Sequence, residues 1–427
     1  MKALTLWVVC AVVLFARRPD LLTNAQFFAE DGEVFFRDAL LNGLASLPAP
    51  YAGYHHFVPR AIALLFAALP AVLQPAFYAW LSIASAAACC ALLAPLLRGV
   101  IPDAGLRACA ALGVAAAIPS NEIIGSVASL QWYLHLPILV AALVALPARA
   151  QLIARIAAVV VGATTPQGLI VAPVAAFLWW RRRPGHDPWV ATSYAGASLL
   201  NVVTSPPESV VRATAHAAEA VGTVLAFRVG DSLVLGKQAA EMLAATATGA
   251  GIALGLILIA GLLVALAWRR GASAAVFAYA IVAPVALVLA TRSFDATDSS
   301  GYGFFGADRY FIAPCAGVVV AVAALASTIR APLLARAAAV IALSFGTCAN
   351  FHEPQLPPDE HWTAAAPALD EWRAERDRGA AAAAAVVVIP PDKWAIALPA
   401  CGAGGYGGAF PSCASPSGLT VPPTTPP

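Results

Sequence analysis

Eleven apolar runs constrain what this chain can fold into: 3–16, 76–97, 106–119, 133–147, 152–164, 168–180, 188–203, 248–268, 273–290, 310–329 and 332–349. A bilayer core takes about 20 apolar residues in helical form, and the shorter runs reach that length by borrowing flanking residues. Hydrocarbon offers no partner to a backbone N–H or C=O, so such runs are expected as helices and not as open strands. The expected fold class is an all-α polytopic membrane protein with about eleven transmembrane helices. The chain is 60% hydrophobic and 11% charged, whereas a soluble domain is about 25% charged.

The basic residues orient the bundle. Short connections carry Arg98/Arg107, Arg149/Arg155, Arg181/Arg182/Arg183, Arg269/Arg270 and Arg330/Arg336. All of them fall on the side of Lys2 if a twelfth run, 57–74, lies flat at the interface. All fall on the opposite side if that run crosses. The excess of arginine and lysine on cytoplasmic loops selects the flat placement. The run begins Phe57-Val-Pro-Arg60 and contains Pro70, and a polar start with an apolar body suits an interfacial helix. The expected localisation is a bacterial cytoplasmic (inner) membrane, with the N-terminus cytoplasmic and the C-terminus extracytoplasmic.

Four parts follow: a transmembrane domain over 1–350, its first extracytoplasmic loop over 17–75, a small extracytoplasmic α/β segment over 351–400, and a Gly/Pro-rich tail over 401–427. Trp362 to Arg378 reads as a charged amphipathic helix, and Ala384 to Ile389 as a strand closed by Pro390-Pro391. The tail composition is that of a disordered segment. Ala218 to Gly236 is apolar but interrupted by Arg228 and Asp231, and is expected as a second interfacial helix. The eight cysteines show no metal-ligand spacing. Cys401 and Cys413, in the polar end of the chain, could pair in an oxidising compartment.

Four polar constellations share the outer face. The first is Glu30-Asp31-Gly32, flanked by Phe27, Phe28, Phe35 and Phe36. Ionisable groups are costly beside a bilayer, so adjacent carboxylates there suggest function. Either could serve as a general base, Asp31 being preferred, or hold a divalent metal. The second is Tyr51-Ala-Gly-Tyr54-His55-His56, leading to Arg60. Successive side chains point to opposite sides of a strand, so His55 and His56 are unsuited to one metal, and one of them suits a sugar or phosphate. The third is Asn121-Glu122 with Gln131-Trp132-Tyr133-Leu-His135, in which amides would bind hydroxyls and an aromatic face would pack on sugar C–H bonds. The fourth is Asp308-Arg309-Tyr310-Phe311, where an arginine at a helix end could grip phosphate bidentately. Against these stand plainer roles in the interfacial aromatic belt, in snorkelling and in local ion pairing.

Together these residues resemble the GT-C superfamily of integral-membrane glycosyltransferases, which use polyprenyl-phosphate-linked sugars. The resemblance covers about residues 1–350. It rests on one span, an acidic first outer loop (Glu30-Asp31) and an interfacial helix. Glu122, the turn Thr165-Pro166-Gln167-Gly168 and Arg309-Tyr310-Phe311 add to it. The Trp-Trp-Asp signature of oligosaccharyltransferases is absent. So is the lysine that aminoarabinose transferases carry before the flat helix; Arg60 or a histidine stands nearest in its place. The resemblance implies an inverting displacement at the anomeric carbon. Asp31, with Glu30 beside it, would activate the acceptor hydroxyl. Arg309, with Arg60, would stabilise the leaving phosphate, while Asn121, Glu122, Gln131 and Trp132 position the sugar. A divalent metal is not required; Asp31 and Glu122 would hold one if present. The implied partners are a polyprenyl-phosphate-linked sugar, a lipid, glycan or protein acceptor, and membrane lipid, with no nucleic acid.

Two other classes remain open at this level. A lipid-linked glycan flippase or a polysaccharide polymerase or ligase would show polar groups facing one another through mid-membrane, where these runs are nearly all Ala, Val, Leu and Ile. A non-catalytic scaffold would depend on its C-terminal segment and not on the acidic loop. No Walker loop, dinucleotide fingerprint, HExxH or GxSxG motif occurs, so nothing marks a nucleotide-driven pump or a serine hydrolase.

Overall fold

The computed structural model describes residues 2–118, 123–181, 186–205, 217–291, 308–351, 359–391 and 394–401. It is mostly helical, and each of the eleven apolar runs falls mainly on helix over its described residues. Four helical stretches are long and apolar enough to cross a membrane: Gln74–Gly99, Thr248–Val288, Arg309–Ala326 and Pro332–Asn350. Shorter apolar helices accompany them, among them α1 (Ala3–Arg17), α2 (Phe57–Phe66), α4 (Ala104–Ala117) and α5 (Leu130–Leu143). The stretch Thr248–Val288 is a helical hairpin, α9 (Thr248–Arg270) and α10 (Ala274–Thr291), turned at Gly271 with φ +58°.

Small residues set the helix spacing. α4 packs against α11 (Ile312–Ala326) and α12 (Pro332–Asn350). A Cβ on its Gly113 would come within 2.8 Å of Val319 Cγ1. Small residues at such contacts let helix backbones approach closely, which favours packing. The helical stretch 217–234 follows the same logic and differs from expectation. Its central turn, Leu225–Asp231, is a wide π turn buried throughout, Arg228 and Asp231 included. It is an interior element and not an interfacial one. Gly230 and Gly255 let it meet α9 backbone to backbone, and a Cβ on Gly230 would stand 2.7 Å from the Gly255 carbonyl oxygen.

One end of the bundle carries the acidic loop and the other the arginine turns. At the acidic end α2 has ten residues, about 15 Å, half of a ~30 Å hydrocarbon core. The C-terminal segment completes this end. It consists of α13 (Trp362–Asp377) and an antiparallel pair, β3 (Ala385–Ile389) with β4 (Trp394–Leu398). The sequence reading lacked β4. Trp362, Ala366, Leu369 and Trp372, spaced along one helical face, are buried in the same core as Phe27, Phe35 and Phe36. Cys401 is disulfide-bonded; Cys413 and the tail from Gly402 lie outside the described residues.

α13 closes onto α2 and the turn after it. Arg373 donates to the carbonyls of Ala67 and Leu69 at 2.7 and 3.0 Å, which places a cation at the C-terminal end of a helix. The Asp370 carboxylate accepts from Ala71 N–H, and Arg376 donates to the Leu40 carbonyl.

Candidate functional site

The two adjacent carboxylates have different surroundings. Asp31 opens the π turn Asp31–Phe36 and is 3% exposed. Its Oδ1 accepts from Ala128 N–H at 2.8 Å and Ser126 Oγ–H at 3.3 Å, and its Oδ2 from Val127 N–H at 3.0 Å. It thereby fastens the turn that feeds α5. Burial pushes its pKa up to about 7; the neighbouring Glu30 charge adds to that, and the bonds from Ala128, Val127 and Ser126 oppose it. Gly125, at φ +86°, makes the turn possible.

Glu30 instead lines a cavity of about 220 Å³. Its other walls include Tyr51, Tyr54, His56, Gln131, Trp132, Arg309 and Tyr310. The space is large enough for several waters. A hairpin builds one wall: Tyr51 pairs with Tyr54 across a two-residue turn, Ala52 at φ 51° and Gly53 at φ 83°. Positive φ at both central positions matches the natural twist of a tight hairpin. His56 meets Tyr54 and Phe35 in tilted ring contacts, with centroids 4.1 and 5.4 Å away. Burial raises the Tyr51 hydroxyl pKa; Glu30 and Glu33 act in the same direction and Arg309 against it.

Three turns of chain therefore bring a carboxylate, a guanidinium and a set of aromatic faces to one space. Two of its buried polar groups are left without partners. Gln131 donates through Nε2 to Tyr54 Oη at 3.0 Å and to the Ala128 carbonyl at 3.2 Å. Its Oε1 has no partner, and neither has Trp132 Nε1. An unmatched buried polar atom costs about 1–3 kcal/mol, so a ligand offering both a donor and an acceptor gains from entering. Trp132 meets Tyr310 edge to face at 4.9 Å, and Arg309 lies over the Tyr310 ring.

The remaining predicted residues sit elsewhere. His55 points away from His56, as alternation requires: its Nε2 lies 3.1 Å from Thr204 Oγ1, and its N–H donates to Asn201 Oδ1. Arg60, 1% exposed, is paired with Asp38 at 2.9 Å and lies over the Phe35 ring, and it is not among the residues lining the cavity. It supports the Phe35 wall and does not reach the space. Asn121 and Glu122 lie outside the described residues. Among the described residues no group of three or more His, Cys, Asp or Glu is placed to hold a metal.

Sequence reasoning missed the backbone cradle of Asp31, which no side-chain pattern announces. It also missed the His135–Tyr194 contact, Nδ1 to Oη at 2.6 Å, buried between α5 and α8 (Pro188–Val203). His135 was visible one turn beyond Gln131, but its partner lies 59 residues away.

The fold and site define a mostly helical chain with several apolar helices and a small polar cavity at one end of the bundle. Comparison with protein-family models, curated proteins and solved structures finds no match.

Proposed function

We propose that this chain is a membrane glycosyltransferase that moves a sugar from a polyprenyl-phosphate donor to an acceptor hydroxyl at the outer surface, with inversion. The observation that carries the reading is the cavity itself. Glu30 and Arg309 share it with aromatic faces and with the unmatched Gln131 Oε1 and Trp132 Nε1, a lining suited to a polyhydroxyl ligand bearing a phosphate. In this reading Glu30 takes the acceptor proton as the acceptor oxygen bonds to the anomeric carbon. The bond from that carbon to the phosphate oxygen breaks, and Arg309 receives the leaving phosphate's charge. Asp31 acts through the 126–128 turn as a positioning residue.

The same reading has eleven crossings, α2 flat at the outer surface, the N-terminus cytoplasmic and the C-terminus outside, in a bacterial inner membrane. Exposed Trp179, Trp180, Trp189 and Trp268 near the arginine turns support an interface at that end, where indole rings concentrate.

The test is transfer from radiolabelled polyprenyl-phosphate sugars in membranes carrying wild type, Glu30→Gln or Arg309→Ala at equal protein levels. General-base work is worth 10²- to 10⁴-fold, so Glu30→Gln should lose about that much. Undiminished transfer by Glu30→Gln would remove the mechanism.

A further inference from the structure

A second cavity, about 480 Å³, lies between α3 (Gln74–Leu96), α5, α10 and α11. Its walls are mainly leucine, valine, alanine and Phe277. It begins one turn beyond the aromatic pair of the first: Leu136 follows Trp132 on α5, and Ala313, in the first turn of α11, follows Tyr310 of the preceding 3-10 turn. From Leu136 to Val144 it runs along α5 for about 12 Å. Its polar lining residues, His186, Arg270 and Ser273, all lie at the arginine end.

An apolar space of this size is costly to leave empty, and it offers water too few partners to hold it. In a bilayer the available filler is hydrocarbon. The charged end decides whose hydrocarbon. Arg270 is fixed there by bonds to the carbonyls of Val100 and Ala324 and to Ser327 Oγ, and Arg269 adjoins it in sequence. A basic opening between helices on the side of the arginine loops suits an anionic phospholipid headgroup. We infer that this cavity holds one acyl chain of an anionic phospholipid of the leaflet on the arginine side, with its phosphate at Arg270. Trp132 and Tyr310 line the Glu30 cavity and not this one, and the two cavities share no lining residue, so the site is distinct from that cavity. The inference does not depend on the glycosyltransferase reading.

The experiment uses the full chain in detergent after exhaustive delipidation. Phosphatidylglycerol and phosphatidylcholine of identical chains are added back, and bound lipid is counted by mass spectrometry alongside the unfolding midpoint. Wild type should retain about one phosphatidylglycerol per chain and gain a few degrees, with a smaller response to phosphatidylcholine. Ala280→Phe fills the space, and Val276→Trp narrows it from a half-exposed position that tolerates bulk. Each should bind roughly tenfold less lipid and lose the midpoint response. Equal lipid retention by wild type and both variants, an equal response to the two headgroups, or recovery of a prenyl lipid in place of a phospholipid would overturn the inference.

Discussion

At the acidic-loop end of the bundle, charged groups are folded into the interior. Arg17 and Arg60 are each 1% exposed, and Asp31 is 3% exposed. At the arginine end, Arg336 pairs with Asp103 at 2.7 Å with side chains 45% and 24% exposed, and Arg155 reaches Asp187 from a side chain that is 38% exposed. Both ends use the same residue types. The arginine end uses them mostly from guanidiniums in contact with solvent, where a pair contributes little, although the Asp187 side chain is itself 3% exposed. The acidic end removes them from water, which is costly unless each donor and acceptor finds a partner. Unmatched buried polar atoms occur at several places among the described residues, Asp231, His135 and Gln167 included, and two of them, Gln131 Oε1 and Trp132 Nε1, belong to residues lining the Glu30 cavity. A bundle that only needed closing could have used the cheaper arrangement twice.

Substitutions should therefore act unequally at the two ends. The largest effect is expected at Arg17, which donates to the carbonyls of Ala115, Ile118 and Asn350 and so ties the ends of α4 and α12 together. Arg17→Met leaves those acceptors buried and should destabilise by roughly 3 kcal/mol or more, read as a fall in the thermal midpoint in detergent. Next is Gly32, where a Cβ would sit 2.6 Å from Ile389 Cδ1 and 2.9 Å from Phe27 Cβ. Gly32→Ala should cost about 1–3 kcal/mol and open residues 359–401 to limited proteolysis; an unchanged digestion pattern would show that the hairpin does not rely on that contact.

Asp31 sharpens the comparison through pH. Its folded pKa of about 7 stands above the ordinary 3.8, so the native state holds the proton more tightly than the unfolded chain. The resulting stability is complete below about pH 4 and is lost as pH rises through 7. Wild type should melt higher at pH 5 than at pH 8, and Asp31→Asn should flatten that slope. The smallest effect belongs to the other end. Hydrogen bonding from Arg336, and then from Leu106 N–H, holds the Asp103 pKa down at about 2. Asp103→Asn keeps a helix-capping oxygen, so its midpoint should shift little, with any difference from wild type vanishing as pH falls from 4 towards 2. A shift as large as that of Arg17→Met would break the contrast between the ends.

The helices were legible because long apolar runs are expected as helix, and apolar length alone reports them. The hairpin wall was legible in part: Ala52-Gly53 between two tyrosines is a tight-turn signal. β4 was not, since Trp394-Ala-Ile-Ala-Leu398 is apolar throughout and shows no alternation of apolar with polar residues, although Pro390-Pro391 marks the turn before it. The choice between the two carboxylates was not legible either. It depends on which side of a π turn each residue occupies, and that turn is shaped by a hairpin more than 350 residues later, through Gly32 under Ile389 and Glu33 accepting from Ala395 N–H. The interior placement of 225–231 was hidden because an arginine and an aspartate in an apolar stretch look solvent-seeking until their partner helix is known.

That long-range docking also imposes an order on biogenesis. Gln26 leaves the ribosome early, yet its side-chain oxygen receives the Glu360 N–H, 334 residues downstream. At 5–20 residues per second, roughly 20–70 s of synthesis separate the two. For that interval the acidic loop waits without its cover, so α13 and its hairpin, made later, act as the closing signal for a loop made earlier.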